Sequence, residues 1–183
     1  GIIELTTAFS SLSPDAVVTV ADRFETMATA IATSYLNIPL VHLQGGEVSG
    51  NIDDRVRHAI TKLSDYHFVA TEDSKERVVS MGEEDTRVYN YGCPAMDILK
   101  NIDLSISNER MSAYGGVGFK IDWDKPFILM MQHPVTTSYG NGFDEVTETL
   151  QALRKLKDIQ KIVLWPNADA GSDDVSKGIR VFR

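Results

Sequence analysis

Polar residues gather where the sequence pattern puts the carboxyl ends of strands, the edge at which open parallel sheets bind ligands. Asp22 follows an apolar run ending at Val20, and Gln44-Gly45-Gly46-Glu47 follows one ending at Leu43. His133 follows a run ending near Gln132, and Asn167 with Asp169 follow Trp165. Four strand ends placing polar groups on one edge say more than any single motif. The chemistry on offer is the binding of a polar ligand by carboxylates, an imidazole and backbone amides.

Each group also has a purely structural reading. Asp22 is a good N-cap for the helix that follows it. Glu47 is an ordinary loop acid unless glycines 45, 46 and 50 serve to let a ligand approach the backbone. In Ile52 to Lys62, a spacing of four sets Asp53 beside Arg57 and Asp54 beside His58. That is either a pair of surface ion pairs or a helix N-terminus presenting a carboxylate and a cation to a ligand. The turn Asn167-Ala168-Asp169-Ala170-Gly171-Ser172 has the composition to offer amides to a phosphate, with nearby acids working against it. His42 and His67 fall inside strand patterns and read as structural, and Cys93, ahead of a proline, reads as packing. No P-loop or dinucleotide fingerprint occurs. No set of residues has metal-ligand spacing, so neither a metal nor a cofactor is expected.

Short apolar runs alternate with segments of helical period, the βαβ pattern of a parallel sheet. Strands are expected at 16–20, 38–43, 66–70, 87–91, 127–132 and 161–165. Helices are expected from about Arg23 to Leu36, with Phe24, Met27, Ile31 and Tyr35 as the apolar face, and from Asp53 or Asp54 with Val56, Ala59, Ile60 and Leu63 buried. Thr71 with Ser74 is suited to cap the next helix, and Pro94 to open the one after. A further helix carries Phe143, Val146, Leu150, Leu153 and Leu156. Regularity fades from Ser105 to Asp124, around Tyr114-Gly115-Gly116-Val117-Gly118, which reads as a linker or insertion.

The bulk properties are those of a globular chain: of 183 residues 43% are hydrophobic and 24% charged, with a net charge of −8. That charge argues against nucleic acid as a partner. No run approaches the ~20 apolar residues of a membrane span, so no membrane partner is expected. The lone cysteine allows no intrachain disulfide and suits a reducing, cytoplasmic setting. Gly1 leads directly into what reads as the middle of a fold, with no signal peptide.

Several blocks together resemble the hydrolysing branch of the UDP-N-acetylglucosamine 2-epimerases, which form N-acetylmannosamine for sialic acid synthesis. They are Ala21-Asp22-Arg23-Phe24-Glu25, Gln44 through Gly50, Ile52 through Lys62, His133-Pro134-Val135-Thr136-Thr137 and Pro166 through Ser172. The resemblance runs from about residue 12 to the end. It implies a Rossmann-like, doubly wound α/β fold within a two-domain architecture like that of the B-type glycosyltransferases. Residues 1–118 would be the later part of the first domain and 119–183 the start of the second, truncated at both ends, with a homo-oligomer expected.

The resemblance also implies the chemistry: removal of the C2 proton, expulsion of UDP to leave a glycal, and hydration to the C2-inverted sugar. By position Asp22, Glu47 and Asp53 match the family's catalytic acids and His133 a histidine near the leaving group. Asp54, Arg57 and His58 would support them, and Arg23, Gly45, Gly46, Asn167, Asp169 and Ser172 would contact the substrate. Two departures stand out: Ala21 replaces a glycine common among relatives, and Gln44 stands where some relatives place the catalytic glutamate, leaving the role to Glu47. A related nucleotide sugar, such as the 2,4-diacetamido sugar of the legionaminic acid route, fits the same residues, as does a non-catalytic sugar-nucleotide-binding role.

Overall fold

Strand β1 (Val17–Val20) lies beside β2 (Leu40–Leu43), then β3 (Tyr66–Val69) and β4 (Val88–Asn90), all parallel and in that order. The computed structural model describes residues 1–50 and 52–182; Asn51, Arg183 and the Thr136 side chain lie outside the description. The chain divides into two compact units, Gly1–Ile102 and Asp103–Arg183.

In the first unit the strands are linked by α2 (Phe24–Tyr35), α3 (Ile52–Lys62) and α4 (Glu72–Ser80), the crossovers that parallel pairing requires. Helix α1 (Ile2–Leu12) precedes β1 and packs on α2, and α5 (Pro94–Asn101) follows β4. Side chains alternate across the sheet. Leu40 packs with Ala30 and Ile60, while Val69 and Val88 pack with Val78. The other face carries Val18 and Val20, 60% and 45% exposed, and the ring cluster of Phe68, Tyr89 and Tyr91.

Expected strands and helices recur with ends shifted by a few residues, and three details differ. First, α2 does not bury Phe24 or Tyr35, which are 68% and 87% exposed; it turns Met27, Ala30 and Thr33 inward, because small side chains let the helix sit close to the sheet. Second, α3 leaves Ala59 exposed and buries Arg57 and Thr61 beside Ile60. Third, Leu156 lies beyond the end of its helix. Thr71 does cap α4, its hydroxyl accepting from the Ser74 amide, and Pro94 occupies the first turn of α5.

The second unit pairs β5 (Phe127–Met130) with β6 (Gln160–Val163) in parallel, after a short α6 (Asn108–Met111) in the irregular stretch. Helices α7 (Gly142–Arg154) and α8 (Ser172–Phe182) pack together and bury Val146, Leu150 and Val175 against Met130. A Cβ at Gly178 would lie 2.3 Å from a Val146 methyl. Gly178→Ala is expected to cost about 1–3 kcal/mol through overpacking, seen as a lower denaturation midpoint. Among the described residues no helix is long and apolar enough to cross a membrane.

Candidate active site

Arg57 is the hub of the first unit's strand-end cluster. Its side chain is only 7% exposed, and its guanidinium donates to Asp22 Oδ2, to Asp54 Oδ1 at 3.0 Å and to the Glu47 carbonyl at 2.5 Å. Asp22 comes from the turn after β1, Glu47 from the loop after β2, and Arg57 from the second turn of α3. A buried cation thus ties two loops to one helix. Its Nε is buried with no hydrogen-bond partner among the described residues.

This revises the expected pairing on α3. Asp54 does not reach forward to His58; it pairs with Arg57 and turns back to the loop, accepting from Ser49 N at 2.7 Å, Ser49 Oγ at 2.9 Å and Gly50 N at 2.8 Å. The carboxylate satisfies amides just ahead of the helix, where the positive end of the helix dipole also favours it. The Ser49 and Gly50 amides, then Arg57, hold its pKa down at about 2. Asp54 is therefore ionised and fully engaged, a scaffold and not a proton carrier. Asp53, half-buried in the same first turn, is the neighbouring carboxylate. His58 keeps a buried Nδ1 with no partner among the described residues.

Both glycines of the β2 loop are buried, and the close approach they permit is to protein. A Cβ at Gly46 would sit 2.3 Å from the Ser74 carbonyl oxygen and 2.9 Å from Val78, and Gly46 has φ +79°. Gly45 packs on His42 and Thr61. Arg77, which the sequence did not single out, donates to the Gly46 carbonyl. Two guanidiniums therefore fix adjacent carbonyls of this loop, leaving the Glu47 side chain half-buried at its end. Gly46→Ala is expected to destabilise by about 3 kcal/mol, from overpacking and a strained positive φ together. A denaturant midpoint equal to the parent's would show that the loop can move off α4.

Ala21 adopts φ +57° and Gln44 φ +61°, so both carboxylate-bearing loops start from a left-handed non-glycine residue. Gln44 donates from Nε2 to the Cys93 sulfur at 3.3 Å. Cys93 stands at the N-cap position of α5, and the Met96 and Ala95 amides, with Gln44, lower its thiol pKa. Arg23, and not Asp22, occupies the N-cap position of α2, with no side-chain cap bond; it pairs with Glu25 at 3.3 Å and lies over the Phe24 ring.

In the second unit, His133 Nδ1 accepts from the Asn167 amide at 3.1 Å. The Asp169 carbonyl accepts from Ser172 N at 3.0 Å, opening α8, and Gly171, at φ +91°, lets the turn rest on Pro134. His133, Asn167, Asp169 and Ser172 thus share one end of the β5–β6 pair. Among the described residues no group of three or more His, Cys, Asp or Glu side chains could hold a metal.

Buried histidines give the first unit an acid-sensitive stability. Burial, with His67 and Arg57 nearby, lowers His42 to about 4, against a raising influence of the Ala21 carbonyl and Asp22. Burial also lowers His67, partly opposed by Glu83. The unfolded chain takes up these protons first, so stability is full above about pH 6.5 and falls as pH drops towards 4. Asp54 adds a second loss, starting below its ordinary 3.8 and complete below about 2. Urea midpoints measured across this range should show the two steps, the upper one shallower in His42→Gln.

Residues 1–182 match the protein family described as UDP-N-acetylglucosamine 2-epimerase. The chain belongs to this family. It is 39% identical over 181 residues to the UDP-N,N'-diacetylbacillosamine 2-epimerase (hydrolyzing) of Legionella pneumophila, covering 99% of this chain and 46% of that protein. Against the UDP-N-acetylglucosamine 2-epimerase of Neisseria meningitidis it is 32% identical over 164 residues, covering 90% of this chain and 42% of that one. The epimerase-family chain thus spans about half the length of the curated relatives it matches. Among solved structures, the UDP-GlcNAc 2-epimerase from Neisseria meningitidis bound to UDP-GlcNAc superposes with a TM-score of 0.75 at 20% identity, over 100% of this chain and 51% of that one. The α/β parallel-sheet fold of this epimerase-family chain is that of the solved 2-epimerases.

Proposed function

We propose that the protein is a hydrolysing 2-epimerase acting on a UDP-2-acetamido sugar. The observation that carries this reading is the cluster of Asp22, Asp54 and Arg57 at the strand ends, with Asp53 in the adjoining first turn of α3. Removing a proton from a weakly acidic carbon needs a positioned base, and hydrating the product needs a proton donor. One carboxylate takes the C2 proton while the C1–O bond to UDP breaks, leaving a glycal with a C1=C2 double bond. Water then adds its oxygen to C1, and a proton returns to C2 from the opposite face. Asp22, Glu47 and Asp53 are the groups proposed to move protons. Asp54 and Arg57 orient them, and His133 serves the departing phosphate.

Between substrates, the 39% identity to a diacetylbacillosamine enzyme against 32% to a UDP-N-acetylglucosamine enzyme favours the 2,4-diacetamido sugar. Residues 1–118 are read as the later part of one Rossmann-like half and 119–183 as the start of a second. The test is proton NMR of the full-length protein incubated separately with UDP-N,N'-diacetylbacillosamine and UDP-N-acetylglucosamine. Release of UDP with the C2-inverted free sugar is expected, faster from the diacetamido substrate. Faster turnover of UDP-N-acetylglucosamine would reverse the substrate choice, and no UDP from either would remove the reading.

A further inference from the structure

His42 belongs to none of the groups assigned above, yet it is wholly buried between β1, β3 and α3 at the root of the cluster. Its Nε2 lies 2.8 Å from the Ala21 carbonyl and its Nδ1 3.1 Å from Thr61 Oγ1. A carbonyl can only accept, so Nε2 carries the proton. In the neutral ring Nδ1 then accepts, and its one available donor among the described residues is the Thr61 hydroxyl. That hydroxyl also lies 3.0 Å from the Arg57 carbonyl, but it has a single proton to give. The ring's surroundings favour the neutral form: Arg57 on α3 and His67 beside it in β3 disfavour a cation, Asp22 favours one, and burial dominates. The carbonyl that Nε2–H holds belongs to the residue in the left-handed conformation, one position before Asp22. A non-glycine residue stays in that region only where its surroundings hold it there.

We propose that His42 is a positioning residue for Asp22: with its ring set by Thr61, it clamps the Ala21 carbonyl and so holds the turn that delivers the Asp22 carboxylate to Arg57. The kinetic consequence rests on the epimerase reading; the clamp itself does not. Three features follow from one ring: a threonine on the inner face of α3, a histidine in a core strand, and an alanine tolerated where the backbone suits glycine.

Ring ¹⁵N NMR of the parent tests the clamp without activity. A pyrrole-like Nε2, a pyridine-like Nδ1 and a through-hydrogen-bond coupling from Nε2 to the Ala21 carbonyl carbon are expected; a proton on Nδ1 with a bare Nε2 overturns it. In the full-length protein His42→Leu should lower kcat for the UDP-sugar by about 100-fold, the effect of misplacing a reacting group, with KM little changed. Adding Ala21→Gly should restore most of that loss, because glycine adopts the left-handed turn unaided. His42→Gln, which keeps a donor for the carbonyl, should stay nearer the parent and covers the case in which the leucine variant does not fold. An unchanged kcat in a folded His42→Leu, or no rescue by Ala21→Gly, overturns the positioning role. A parent that turns over no UDP-sugar sinks the proposed function instead and leaves the clamp to be decided by the ring NMR.

Discussion

Arg57→Met is expected to destabilise the first unit by about 3 kcal/mol, the cost of stranding two half-buried carboxylates without their buried cation. Asp22 and Asp54 are 18% and 17% exposed, so water reaches them only in part. Asp54 would keep its three bonds from Ser49 and Gly50, but Asp22 has no other side-chain partner among the described residues. The Glu47 carbonyl would be released as well, so both carboxylate-bearing loops would loosen together. Urea titration of parent and variant reads the loss, and in the full-length protein turnover should fall with it. Arg57→Lys keeps the charge but not the planar fork, so it should recover only part of the stability. A methionine variant as stable as the parent would mean that the cluster is solvated and contributes nothing to the fold.

Asp53→Asn separates chemistry from architecture in the opposite way. The substitution keeps the size and polarity of the side chain, and at a helix first turn the lost charge costs only about 0.3–1 kcal/mol. If Asp53 transfers a proton to or from the sugar, kcat should fall by about 10²- to 10⁴-fold while the denaturation midpoint barely moves. UDP release followed by NMR or a coupled assay measures it. Full turnover in a folded Asp53→Asn would remove Asp53 from the chemistry and leave Asp22 and Glu47 to carry it.

The strands and most helices were legible in the sequence because short apolar runs between turn signals, alternating with segments of helical period, mark a parallel βαβ sheet. Helix α1 was not anticipated: Ile2–Leu12 has no side-chain cap and no buried residue, so nothing marks its ends or face. The burial of α2 and α3 was read correctly at Met27, Val56, Ile60 and Leu63 and misjudged at Phe24, Tyr35 and Ala59, for one shared reason. Counting apolar residues overlooks the small Ala30 and Thr33, and also Arg57 and Thr61, which are inside because polar partners await them. The strand-end residues themselves were visible, since position beyond a strand is a local property. Their wiring was not: Arg57 and Asp22 are 35 residues apart, Arg77 and Gly46 31, and no spacing rule reaches that far. Gly46 shows the same limit, since its need for space comes from Ser74 on another helix.

The bond from the Asn167 amide to His133 decides which way that imidazole can act. With Nδ1 occupied as an acceptor, the neutral ring must carry its proton on Nε2. In the neutral ring the Nε2 edge of His133 therefore offers an N–H, and it cannot abstract a proton while the amide stays in place. That edge is suited to meet an electron-rich oxygen, and breaking one backbone hydrogen bond would be the condition for any other behaviour.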